Sequence, residues 1–79
     1  MKWVPVDSTV IAQIGYDLAT RELGVEFLES GEIYIYFEVP PEEHAAFMAA
    51  ESKGTYLNKV FKLKEYRHTI VKRGQNPAV

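Results

Sequence analysis

The chain contains no cysteine, which excludes disulfides, thiolate-bound zinc and thiol nucleophiles together. Histidine occurs only at His44 and His68, below any recognisable ligand set, so no metal is expected. There is no leader-like pattern and no apolar run approaching the roughly 20 residues of a membrane span. A soluble, cytoplasmic protein with no membrane partner is therefore expected. Repeats, low-complexity tracts and linker-like stretches are missing as well. So are the Gly-x-Ser-x-Gly turn, the glycine-rich phosphate loop and paired carboxylates. Ser8, Ser52, Tyr16 and Asp17 are the nominal candidates for catalysis. They form no such pattern, and the expectation is a protein without catalytic residue or cofactor.

What is present suits one small domain. Seventy-nine residues leave no room for a second core, and 47% hydrophobic with 25% charged residues argues for a folded chain. Charge is divided along it. Residues 1–52 carry ten acids against Lys2 and Arg21, a balance of −8; residues 53–79 carry seven bases against Glu65, a balance of +6. The basic part either meets an anionic partner or lies against acidic surface of its own or a neighbouring molecule.

Apolar alternation predicts three strands. Val10, Ala12, Ile14 and Tyr16 share one side of the first, with Ile11 and Gln13 opposite. Pro5 discourages regular pairing in the lead-in before it. Leu23, Val25 and Phe27 alternate in the second, after a polar turn in which Asp17 accepts backbone N–H groups. Ser30-Gly31 supplies the next turn. In the third, Ile33, Ile35, Phe37 and Val39 face one way and Glu32, Tyr34, Tyr36 and Glu38 the other. Pro40-Pro41 ends the ladder, and Pro41, Glu42 and Glu43 suit the first turn of a helix running to Ser52 or Lys53. Its stripes are Ala45, Met48, Ala49, Ser52 and His44, Phe47, Met48, Glu51, with Gly54 as C-terminal cap. A short helix follows over Thr55–Lys62, Tyr66–Val71 reads as extended, a candidate fourth strand, and Gly74–Val79 is expected to fray.

The order of these pieces resembles the KTSC domain, a short bacterial module named from the C-terminus of some lysyl-tRNA synthetases. The resemblance runs from about Val6 to Tyr66. It rests on Ser8-Thr9, Ile14-Gly15-Tyr16-Asp17, Leu23, Val25, Phe27, Gly31, Tyr34-Ile35-Tyr36, Val39-Pro40, Ala50, Ser52, Gly54, Tyr56, Asn58 and Tyr66. Thr9 stands where the family usually has a second serine, and His44 where it favours a large apolar or aromatic residue. RNA binding is the activity usually conjectured for the family from its synthetase context.

Candidate binding residues follow from the residue types. Tyr34 and Tyr36, two apart on one strand face, either stack unpaired bases or pack beneath the C-terminal segment. The segment Lys53–Lys64 interleaves cations with aromatics: Lys53, Lys59, Lys62, Lys64 and then Arg67 would meet phosphate, Tyr56 would stack, and Asn58 would read a base edge or sugar. The bland counterpart is a solvated basic helix face, with Ser52 and Asn58 capping a turn.

The expected fold is α+β: a three-stranded antiparallel meander whose Leu23, Val25, Phe27, Ile33, Ile35 and Phe37 face is covered by the Pro41–Ser52 helix, then a short helix and an extended segment. The whole chain, 1–79, makes one domain with its core over about 6–71. The expected function is a non-enzymatic module binding RNA or another nucleic acid weakly. The alternative is a protein-interaction or self-associating, homo-oligomeric module using opposed charges and an open sheet edge.

Overall fold

The computed structural model describes residues 1–72, so the tail expected to fray lies outside the described residues. Five strands form one antiparallel sheet in chain order: β1 (Lys2–Pro5), β2 (Ile11–Asp17), β3 (Glu22–Phe27), β4 (Ile33–Tyr36) and β5 (His68–Lys72). Between β4 and β5 run α1 (Pro41–Ala49) and α2, a continuous helical stretch over residues 53–64. The α+β meander is as expected, but it is five strands wide rather than three. Pro5 hid β1: proline is excluded from sheet interiors only, and here it ends an edge strand, where no partner needs its N–H. The candidate strand after Tyr66 is β5, paired with β4.

Register decides which side chains meet the helices. Directly opposed residues share a face, so Tyr16, Leu23, Tyr36 and His68 form one row, and Val4, Ile14, Val25, Tyr34 and Ile70 another on the same side. Ile14, Leu23, Val25 and Tyr36 are buried there against Phe47 of α1 and Leu57 and Phe61 of α2. The row between, Trp3, Gly15, Gly24, Ile35 and Thr69, points the other way. The expected facing of the third strand is therefore inverted: the tyrosines face the helices, and Ile33 and Ile35 face outward. Glu32 and Glu38 marked the tyrosine face as wet, but both lie outside β4, and Glu38 sits in a left-handed turn at φ 57°.

A second inversion comes from a bulge in β2. Register shifts between Ile11 and Gln13, leaving Ala12 as the extra residue, so Ile11 is fully buried and Val10 exposed. At the glycine pair the outer face is closed by the indole of Trp3. A Cβ on Gly24 would lie 2.5 Å from the far edge of that ring, and one on Gly15 would lie 2.7 Å from it. Gly24→Ala should push the indole off the sheet at a cost of about 1–3 kcal/mol. A red shift of the emission of Trp3, the sole tryptophan, together with a lower urea midpoint, checks it.

Pro41 occupies the first turn of α1, with Glu42 and Glu43 beside it, as expected. The helix stops early because Ala50 turns extended (φ −66°, ψ 138°). Ser52 consequently caps α2, accepting the Thr55 N–H at 3.3 Å, and Gly54 lies inside α2 rather than capping α1. The buried positions of α1 are Glu43 and Phe47, not the alanine stripe. Within α2, Lys53–Tyr56 is α, Leu57–Phe61 is a π turn and Lys62–Lys64 is α, before Glu65 ends it in the left-handed region at φ 55°. No helix among the described residues is long and apolar enough to cross a membrane.

Candidate functional site

Where α2 meets the sheet, β3, β4, β5 and α2 leave a groove of about 470 Å³. Its sheet wall is Phe27, Tyr34, Tyr36 and His68; its helix wall is Leu57, Asn58, Phe61 and Lys62, with Glu65 and Tyr66 at the end. The Tyr34 and His68 rings lie nearly parallel, 11° apart at 5.3 Å between centroids, and Phe27 meets Tyr34 edge-on at 5.2 Å. His68 is exposed and Tyr34 half-buried, so the stacked pair stands at the solvent edge of the groove. Tyr36, 9% exposed and packed edge-on against Phe61 at 5.1 Å, forms the floor. Burial, with the neighbouring Tyr34, pushes the Tyr36 hydroxyl up to about 12, so it stays neutral.

Two further hollows adjoin this groove. One of about 450 Å³ shares Asn58 with it and is lined by Asp7, Ser8, Thr9, Glu51, Ser52, Lys53 and Thr55. The other, about 380 Å³, shares Phe27 and Tyr34 and carries Glu29 and Glu32.

The structure thus gathers four of the sequence candidates, Tyr34, Tyr36, Asn58 and Lys62, around one groove. The others are elsewhere. Lys53 donates to the Ala50 carbonyl at 2.7 Å. Lys59 is exposed and lines none of the three hollows. Arg67 lies over the Phe37 ring at 5.4 Å and faces Glu38 at 3.4 Å. Tyr56, expected to stack a base, packs inward on Phe47 at 5.4 Å. No continuous basic strip results among the described residues, since Lys53 and Lys64 are engaged by neighbours and Lys59 lines none of the hollows.

The largest feature that sequence reasoning missed is Glu43. It is 6% exposed and accepts from the Tyr56 hydroxyl, from Lys64 Nζ at 2.6 Å and from the Tyr66 hydroxyl at 3.0 Å. Burial by itself drives that carboxyl up. The hydrogen bonds from Lys64, Tyr56 and Tyr66 and the Lys64 charge outweigh it, so Glu43 ionises below the ordinary glutamate value. The hub clamps α1 to α2 and so fixes the helix wall of the groove.

Beside it, His44 stacks on Tyr16 at 4.3 Å and 6°, while the Tyr16 hydroxyl donates to the Val39 carbonyl at 2.6 Å. Burial holds His44 below the usual histidine range. A depressed histidine value means the unfolded chain takes up the proton first, so its stabilising share is present above about pH 6.5 and lost as pH falls below it. His44→Phe should keep the stack and delete that early part of the acid decline, which urea midpoints between pH 7 and pH 5 would reveal.

A one-layer antiparallel meander with both helices on one side and a ring-lined groove at their seam defines a small α+β domain of the sheet-and-helix kind. The chain belongs to the KTSC domain family, whose sequence model matches residues 7–66. It is similar to the crystal structure of a KTSC domain protein from Yersinia pestis, with a TM-score of 0.82 and 37% identity, covering 90% of this chain and 97% of that one. It is also similar to an uncharacterized protein of Stutzerimonas stutzeri, 43% identical over 68 residues, which are 86% of this chain and 94% of that protein. A lysine–tRNA ligase of Nostoc punctiforme is 41% identical over 58 residues, which are 73% of this chain and 10% of the ligase.

Proposed function

We propose that this domain is a non-enzymatic accessory module that binds unpaired nucleic acid weakly, by stacking a base on the Tyr34–His68 rings. The observation that carries the reading is the near-parallel Tyr34–His68 stack, with His68 exposed, in a groove edged by one amide and one ammonium. Every base has a π face, so such a groove needs little sequence specificity. Asn58 offers a donor and an acceptor to a base edge, and Lys62 a charge to one phosphate. Further support comes from the similar segment in a protein named as a lysine–tRNA ligase.

Base–aromatic stacking contributes about 1–3 kcal/mol per base, so Tyr34→Ala should weaken binding of labelled single-stranded RNA by roughly 5- to 150-fold. Tyr34→Phe should keep most of the affinity. Absence of binding at high protein concentration and low salt sets the reading aside.

A second reading, self-association or a protein partner, is favoured by the outer sheet face. Trp3, Ile33 and Ile35 lie there under no second layer among the described residues. Light scattering separates the two readings: an apolar face gives an oligomer that persists at high salt, whereas weak RNA binding fades.

A further inference from the structure

We propose that the groove accommodates one nucleotide and no more, so that its partner is a chain end or an extruded base rather than a strand laid across the surface. This rests on the base-stacking reading above and narrows it.

The rings provide a single platform. Tyr34 and His68 are near-parallel, Phe27 stands edge-on at 77° and closes one end, and Tyr36 is tilted 35° from Tyr34 and sealed beneath the helix. A second base finds no second plane to stack on. The volume, about 470 Å³, lies in the lower part of the range for single small-molecule sites, about 300–1,000 Å³.

Charge sets the same limit. Beyond Phe27 and Tyr34 the surface opens into the hollow carrying Glu29 and Glu32; beyond Asn58 it opens into the one carrying Asp7 and Glu51. A strand leaving the groove either way would lay its phosphates against carboxylates, well inside the roughly 10 Å screening length at 0.1 M salt. Among the described residues Lys62 is the one lysine lining the groove, and Glu65 also lines it. Of the other nearby cations among the described residues, Lys64 bonds Glu43, Lys53 the Ala50 carbonyl, and Arg67 meets Phe37 and Glu38, while Lys59 is exposed but lines none of the hollows. One base can stack and one phosphate can be met.

The test titrates the full chain with 5′-phosphorylated uridylates of one, two, four and eight residues, following the aromatic NMR signals of Tyr34 and His68. The expected result is an affinity that changes by no more than about threefold between two and eight residues, with a log-affinity slope against log salt near −0.7 at each length, the value for a single phosphate on a single strand. Glu29→Lys with Glu32→Lys, both outside the groove and away from the core, should restore length dependence and steepen the slope. A slope that steepens with each added residue in the unmodified protein overturns the one-nucleotide limit and leaves base stacking standing. If neither the mononucleotide nor the longer chains move those signals, both readings fall.

Discussion

Phe61→Ala is expected to bring the domain to the edge of unfolding. The ring is 2% exposed and meets Tyr36, Phe47 and Tyr66 at 5.1 Å between centroids, and Tyr56 at 6.1 Å. It therefore joins the sheet, both helices and the segment leading to β5. Truncating a buried phenylalanine costs about 3–5 kcal/mol, transfer and cavity together. A domain of this length holds about 4–12 kcal/mol in all. Urea titration of Phe61→Ala should accordingly show a shallow or absent folded baseline, while Phe61→Leu should lose much less. A loss under about 1 kcal/mol for the alanine variant would mean that the aromatic cluster does not hold the layers together.

The second large effect is at Glu43. Removing it orphans two buried-edge hydroxyls and the inward end of Lys64, whose side chain is otherwise 56% exposed. Because Lys64 can turn to water, the loss should fall at about 3 kcal/mol for Glu43→Ala, the low end for a broken buried ion pair. Tyr66→Phe and Tyr56→Phe should cost about 1 kcal/mol each, and the double variant should lose more than their sum, since it leaves the buried carboxylate with Lys64 alone. The pH dependence follows in sign from the shifts. The carboxyl is lowered, so its contribution is complete above the ordinary glutamate value of about 4.5 and is lost as pH falls through the lower folded value. Tyr56 and Tyr66 are raised to about 12, by burial first and then by the Glu43 carboxylate they bond; their contribution is complete below about 10 and is lost as pH climbs towards 12. In Glu43→Gln, urea midpoints should flatten on the acid side, and the alkaline fall should still begin near about pH 10 but be smaller and end at lower pH.

The fold was legible where local chemistry decides it. Alternation marked β2 to β4, Pro40-Pro41 marked the step from strand to helix, and Gly31 at φ 72° and Asp17, accepting from Ala19 and Thr20, made the turns expected of them. What was not legible depends on long-range register. β4 is apolar on both faces, so its facing is set by pairing with β3 and β5 and not by its own pattern. The bulge at Ala12 shifts the alternation of β2 without any glycine to announce it. Glu43 looked like an ordinary first-turn acid because its donors stand 13, 21 and 23 residues downstream. Half of the candidate site was visible as a Tyr-x-Tyr pair, an asparagine and a lysine. Its other half, His68, carried no local pattern at all and is recruited by the antiparallel return of β5.

That return links fold to proposed role. β5 can pair with β4 only because α1 and α2 carry the chain back across the same face, and the Glu43 hub fixes how closely α2 lies over the tyrosines. The groove is thus the seam left where a helix with a π turn meets a row of rings. Its ring faces, and not a line of lysines, are what it offers to a ligand.

If this seam is the working surface, aromatic NMR of the full chain will register there as an unpaired RNA is added. Shifts are expected on Tyr34, His68 and Phe27, with Tyr56, which lies outside the groove and bonds Glu43, unmoved. Shifts concentrated on the Trp3 indole, or none at all, would mean that the ligand goes elsewhere.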